Sequence, residues 1–430
     1  MRRGLSRRQV LKGFGAAVGG ASALGTPWRA VAQAPRPVTL TYVNYSIGTD
    51  KAMWDQLIGE FNKIYPHITV RYQPIPGDTW GDYFDKLATM IAGGNPPAAF
   101  QWNIGVAVRQ LAEQGLLTNL DDLARAGDWN RHLPPLLVKN ITVDDHVIAV
   151  PVNLHGANWM FYSTKVFSDL NMAPPKTWDE FLAQADKIKA AGYLPIAMGG
   201  NAQQTGWLFY TMLAGVGGKD VYRKIFVDHD AAAAGSAEVR HAFETMGKIR
   251  QYADAGGANR KWNDTLALVE TNKAAFMIAG DWAKGDFSAA GMTPGKEYGC
   301  LLAPGTQDAY VMTVDVFAFP KVTKPDQMAA QRKLAELMMD PAVQVEFNKY
   351  KGSLPSRLDA DVGSLDACAQ IGQKVMAGGD ANQLPNFALA FGPDTQGQIE
   401  DLLIHYWSTP GMSAADATKQ FSTIIANAAS

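Results

Sequence analysis

The chain has 430 residues, of which 47% are hydrophobic and 19% charged, and its formal net charge is −2. That length and apolar content supply the cores of two or three domains, and the near-neutral charge gives no electrostatic basis for binding nucleic acid or an anionic membrane surface. No segment beyond residue 34 is apolar for the roughly 20 residues needed to cross a bilayer.

Residues 1–34, MRRGLSRRQVLKGFGAAVGGASALGTPWRAVAQA, open with two Arg clusters. They continue through a mildly apolar Gly/Ala-rich run and reach Ala30-Val31-Ala32. This is the order of n-region, h-region and small-x-small cleavage site in an export signal. The stretch Ser6-Arg7-Arg8-Gln9-Val10-Leu11-Lys12 resembles the twin-arginine export motif. The run is too short and too rich in Gly for a membrane anchor, and no Cys follows it to carry a lipid. The expectation is a signal peptide over residues 1–32, cleaved after Ala32, and a soluble mature protein in the periplasm. The twin-arginine resemblance implies folding before transport.

The mature chain begins with VTLTYVNY (38–45), a β-branched alternating pattern that predicts a strand. Apolar residues at 53, 54, 57, 58 and 61 follow with the period of an amphipathic helix. HITVRYQPI (67–75) predicts a second strand, YFDKLATMIAGG (83–94) a helix closed by Gly, and AAFQW (98–102) a short buried strand. This β-α-β-α-β rhythm indicates a parallel sheet covered by helices. KTWDEFLAQADKIKAAG (176–192) predicts a helix capped by Thr177, with Asp179 and Glu180 in its first turn. LPIAMGG (194–200) reads as strand and turn, and AAFMIAGDWAKGDF (274–287) as a strand entering a Gly-Asp-Trp turn. YVMTVDVFAFPK (310–321) is a long β-rich run ending at Pro. Residues 328–350 and 395–407 read as helices. No internal repeat or heptad pattern is present.

The seven His residues are scattered at 67, 132, 146, 155, 229, 241 and 405, so no zinc spacing exists and no metal or cofactor is expected. There is no phosphate loop and no nucleophile elbow. A carboxylate pair for glycoside hydrolysis would come from distant positions, and nothing marks one. The two cysteines, Cys300 and Cys368, can pair in an oxidising compartment; the alternative is two buried thiols, and a disulfide is the expectation. The Trp residues carry the strongest chemical signal. Several stand beside polar side chains, at Asp78-Thr79-Trp80, Gln101-Trp102-Asn103, Asn158-Trp159, Thr205-Gly206-Trp207 and Asp281-Trp282. Sugars require that pairing, because their C–H faces stack on aromatic rings and their hydroxyls need Asp, Asn, Gln or Lys partners. Trp54 and Trp178 lie on helix patterns and are expected in the core.

Four segments, taken in order, resemble a known family. They are WNIGVAVRQLAEQGLLTNLDDL (102–123), VIAVPVNLHGANWMFYSTKVF (147–167), PPKTWDEFLAQADKIKAAGYLPIA (174–197) and NKAAFMIAGDWAKGDF (272–287), the last with Asn272 where the family has Gly. The family is the extracellular solute-binding proteins of carbohydrate ABC importers, family 1, and within it the glucose/mannose-type periplasmic proteins look most similar. The resemblance implies an α/β, two-lobed periplasmic-binding-protein fold of type II, with the ligand in a cleft between hinge-linked lobes. Residues 36–148 with 313–352 would form the N-terminal lobe and 149–312 with 353–430 the C-terminal lobe. The hinge crossings would be VIAVPVN, YVMTVDVFAFP and KGSLPSR (351–357).

By the same resemblance, Trp282 matches a stacking Trp, Asp315 a hinge-strand carboxylate that takes sugar hydroxyls, Lys351 a Lys of the KGS-x-P segment, and Asp50 an acidic position. His155 and Asn158 would lie near the cleft floor with Asn153. Tyr45, Trp80, Trp102 and Asn103 complete the expected sugar-binding set. The sequence departs from the glucose pattern at Asn44 and Tyr45, where those members have a Trp pair. It departs also at Asn103 for a Lys, at Thr313 for an Asn, and near Phe387 or Leu389 for a His. The implied function is non-enzymatic capture of a mono- or oligosaccharide by a monomer and its delivery to the membrane permease of an ABC importer. The alternatives are a periplasmic carbohydrate-active enzyme and a sugar sensor for chemotaxis or signalling.

Overall fold

In the first sheet the strands lie in the order Ile68–Ile75, Val38–Tyr45, Ala99–Asn103, Asp315–Ala318 and Ala149–Pro151. The computed structural model describes residues 36–45, 50–75 and 80–428; the export signal read in residues 1–34 lies outside them. The first three strands run parallel and are joined by helices Asp50–Ile64 and Trp80–Ala92, as the β-α-β-α-β rhythm requires. Trp54, from the apolar stripe of the first helix, packs with Tyr42 and Phe317 at ring separations of 4.7 and 5.4 Å. Strand Asp315–Ala318 enters antiparallel between Ala99–Asn103 and Ala149–Pro151.

The second sheet has the order Tyr298–Leu302, Trp159–Ser163, Ala274–Ala279, Leu194–Ala197. AAFMIA is buried at every position, and its lack of polar alternation is the mark of a central strand covered on both faces. Helix Trp178–Ala190 starts where expected: the Thr177 hydroxyl accepts the Glu180 amide at 3.1 Å, a cap that contributes about 1 kcal/mol. Trp178 is buried beneath it.

The run YVMTVDVFAFPK is two strands. Tyr310–Thr313 belongs to a small sheet with His155–Gly156 and Gln383–Pro385, whereas Asp315–Ala318 belongs to the first sheet. The segment around Pro151 changes sheets in the same way, from Ala149–Pro151 to His155–Gly156. The passage between sheets therefore occurs at Val152–Leu154 and Val314. A polar alternation has no feature that marks such a switch. The two crossings touch, with the Val152 amide donating to the Asp315 carbonyl at 3.0 Å.

The third crossing follows helix Pro341–Lys351. That helix ends at Gly352, whose φ is +86° and whose hypothetical Cβ would lie 2.4 Å from the Asp281 carbonyl oxygen, so only glycine fits. Leu354 then exchanges backbone hydrogen bonds with Leu154 at 2.7 and 3.1 Å. Buried amides complete the junction. Gln344 Nε2 donates to the Pro151 carbonyl at 2.9 Å, and Asn348 Nδ2 to the Val152 carbonyl at 3.0 Å. Away from these crossings, Cys300 on an edge strand of the second sheet is joined to Cys368 on helix Ala367–Met376. No helix among the described residues is long and apolar enough to cross a membrane.

Candidate ligand-binding cleft

The ends of strands Ala99–Asn103 and Tyr310–Thr313, together with the crossings, deliver polar side chains to one cavity of about 580 Å³. Asn103, His155, Thr313, Asp315 and Lys351 line it, with Trp102 and Trp282. Ligands of open α/β sheets bind beyond the carboxyl ends of the parallel strands, and Asn103 stands at such an end.

His155 is the centre of a buried ionic network. Its Nδ1 hydrogen-bonds to Asp281 Oδ1, and its Nε2 lies 3.3 Å from Asp315 Oδ2. Burial favours the neutral imidazole, but the charges and hydrogen bonds of Asp281 and Asp315 outweigh it and raise the His155 pKa to about 9. That pKa keeps the ring protonated at neutral pH, with Nδ1 donating to Asp281 and Nε2 lying between Asp315 Oδ2 and the Asn153 amide nitrogen, which is 2.9 Å away. Asp281 is secured on its other oxygen by the Gly156 amide at 2.9 Å and the Tyr310 hydroxyl at 3.1 Å.

Asp315 has the opposite bias. Burial pushes its carboxyl up, but the hydrogen bond and charge of His155, the charge of Lys351 and the Asn153 amide hold it below its ordinary value. Asn103 Nδ2 donates to Oδ1 at 2.8 Å, and Asn153 Nδ2 to Oδ2 at 3.0 Å. A carboxylate has about four lone-pair positions. Among the described residues three are taken, by Asn103, Asn153 and His155, which leaves one for a hydroxyl donor from the cavity.

Two further polar groups on the cavity wall have no partner among the described residues, Gln101 Oε1 and Thr313 Oγ1. Each is buried, and an unmatched buried polar atom costs about 1–3 kcal/mol, so both are poised for a ligand's hydroxyls. Beside them stand aromatic faces. Trp282 meets the edge of His155 at 5.3 Å and tilts against Trp207 at 5.1 Å. Trp102 stacks on Phe84 at 4.0 Å.

The structure thus brings Trp102, Asn103, His155, Trp282, Asp315 and Lys351 to one cavity. Asn158 is placed elsewhere. It is fully buried and does not line the cavity. Its Nδ2 donates to Thr306 Oγ1 and the Ala309 carbonyl, and its Oδ1 accepts the Val311 amide. Three of its four hydrogen-bonding positions hold a loop. Its neighbour Trp159 is likewise a core residue. Tyr45 ends a strand, Asp50 and Trp80 open helices, and their side chains lie outside the described part.

Trp207 and Trp262 also line the cavity; Trp207 was among the Trp residues beside polar side chains but not in the expected sugar-binding set, and Trp262 was in neither. Both carried the same signal as the others, a Trp between polar or small residues, as in Lys261-Trp262-Asn263. Gln101 has no signal of its own, since a Gln in a buried strand becomes visible only through its missing partner. Among the described residues no group of three or more His, Cys, Asp or Glu side chains is placed to hold a metal ion.

Comparison with known proteins agrees with this geometry. The profile of the family described as bacterial extracellular solute-binding protein matches residues 45–345. A probable sugar-binding periplasmic protein of Brucella melitensis is 38% identical over 304 residues, 71% of each chain. An uncharacterized ABC transporter extracellular-binding protein of Pyrococcus horikoshii is 29% identical over 348 residues, 80% of this chain and 77% of its own. Among solved structures, the bacterial solute receptor AcbH, described as having an exclusive preference for β-D-galactopyranose, superposes with a TM-score of 0.79. It does so at 18% identity, over 91% of this chain and all of that one. Two sheets joined by three adjacent crossings, with a polar and aromatic cavity beside them, are the two-lobed type II arrangement of such receptors, and the chain belongs to the bacterial extracellular solute-binding protein family.

Proposed function

We propose that the protein captures a mono- or oligosaccharide in the periplasm, without turnover, and delivers it as a monomer to the permease of an ABC importer. The floor of the cleft carries this reading. The Trp282 ring lines the same cavity as a buried carboxylate, Asp315, with one acceptor position open among the described residues, and as Gln101 Oε1 and Thr313 Oγ1, which have no partner there. Stacking faces and hydroxyl partners are what a pyranose demands. Sugar-binding and ABC-transporter names among the relatives support the same reading.

In this proposal the lobes rotate about Val152, Val314 and Gly352, and ligand drives closure by binding the closed form better than the open one. Sugars added to the protein should bind reversibly by calorimetry, remain chemically unchanged, and reduce the radius of gyration in solution scattering. Trp282→Ala should weaken that binding by about 1–3 kcal/mol, as for other aromatic platforms, with the thermal transition retained. A sugar converted to product would defeat the receptor reading, and an unchanged scattering curve at saturation would defeat closure.

Export by the twin-arginine route is part of the same proposal, resting on Arg7-Arg8 and Ala30-Val31-Ala32. Replacing both arginines by lysine should abolish periplasmic accumulation in cell fractionation; an undiminished periplasmic level would exclude that route.

A further inference from the structure

The cavity is divided by exposure into a floor and a rim. Gln101, His155, Thr313 and Asp315 on the floor are buried, whereas Gln110 and Gln114 on the rim are exposed. The rim has two opposed walls. One is a face of helix Val106–Glu113 and its C-cap, presenting Ala107, Gln110, Leu111 and Gln114 to the cavity. The other is a face of helix Pro393–Ser408, presenting Pro393, Gln396, Gly397 and Glu400. Each set has the i, i+3, i+4, i+7 spacing of one helical face, which extends for about 10 Å.

The two helices approach each other at their N-terminal ends. A Cβ built on Gly392 would lie 3.5 Å from Val106 Cγ1, and one on Gly105 would strike the Ala388 carbonyl. Both faces therefore line the same cavity as the floor. Gln396 Nε2 donates to Glu400 Oε1 at 2.8 Å, which sets the Gln396 amide and leaves its carbonyl free to accept. Gln110 and Gln114 each offer an acceptor and two donors, and the small apolar residues between these groups suit the C–H face of a ring.

The floor already holds the carboxylate, hydroxyl and amide groups that one pyranose can use. A single ring placed there leaves the rim walls unengaged, and a cavity of about 580 Å³ lies in the middle of the range of pockets that enclose drug-sized ligands.

We propose that the ligand is a saccharide of at least two rings, the first on the Trp282–Asp315 floor and the second between the glutamine-bearing faces of helices Val106–Glu113 and Pro393–Ser408. This rests on the sugar reading above and selects the oligosaccharide class within it. The test is calorimetry of the full mature chain with glucose, galactose and xylose, and with maltose, maltotriose, cellobiose, melibiose and xylobiose. The tightest ligand should be an oligosaccharide, bound about tenfold or more tightly than its own monosaccharide units. The double variant Gln110→Ala, Gln396→Ala should erase that advantage while leaving monosaccharide affinity and the melting temperature unchanged. A monosaccharide that binds as tightly as every oligosaccharide containing it would overturn the rim subsite and leave the sugar reading standing, as would a double variant that weakens both classes equally. Binding of none of these sugars would overturn the sugar reading and the subsite together.

Discussion

Asp281→Ala should lower the unfolding free energy at pH 7 by about 3–5 kcal/mol, the range for removing one partner of a buried ion pair. The loss has three parts. The His155 imidazolium remains buried without its main counter-charge, and the Gly156 amide and Tyr310 hydroxyl lose their acceptor. The same network makes stability depend on pH. The folded pKa of His155 is raised from its ordinary 6.5 to about 9, so the folded state binds that proton more tightly than the unfolded chain. The resulting contribution, about 3 kcal/mol, is complete below pH 6.5, declines as the pH rises, and is gone above about pH 9. Urea unfolding from pH 6 to 10 should show this decline in the wild type and a flatter profile in Asp281→Ala. Equal declines in both proteins would mean that another group titrates. Asp315, held below its ordinary value, contributes in the opposite sense, with stability present at neutral pH and lost in acid.

Reduction of the Cys300–Cys368 bond should cost about 4 kcal/mol, because the link closes a loop of 68 residues and restricts the unfolded chain accordingly. Cys368→Ser should reproduce the loss in urea unfolding without reductant. The bond ties an edge strand of the second sheet to helix Ala367–Met376 and lies among no cavity residues, so affinity for ligand should be retained while the protein remains folded. A titration of the denatured, unreduced protein should find almost no free thiol. Two free thiols, or an unfolding curve indifferent to reductant, would show that the link does not form.

The local elements were legible because their causes are local. The parallel βαβ opening follows from alternation and 3.6-residue periods, and the Thr177 cap from a hydroxyl three residues before an amide it can accept. The fully apolar AAFMIA reads as a strand, and its central place in the second sheet is given by the structure. The candidate site was half legible. Trp beside polar residues marked Trp102 and Trp282 correctly as cavity residues, and marked Trp207 too, but the same signal also marked Trp159, which is core. A polar neighbour in sequence does not say which way the ring points once the strand is placed in a sheet.

By itself the sequence determined the layered α/β class, the start of the helix capped by Thr177 and the residue types that a sugar site requires, whereas it began the helices at Trp80, Pro325 and Pro393 two or three residues late. The tertiary structure alone decided which of those residues meet. His155 finds Asp281 and Asp315 at separations of 126 and 160 positions, and no periodicity carries information over that span. Asn103 and Asn158 are the same residue with the same four hydrogen-bonding positions. One faces a cavity beside Asp315, and the other gives three of its four positions to Thr306, Ala309 and Val311. The switch of strands at Val152 and Val314 was equally silent, because a strand that leaves one sheet and enters another keeps its extended backbone and alternation. What changes there is the partner chain that satisfies its hydrogen bonds, and that partner is set by the packing of the two lobes.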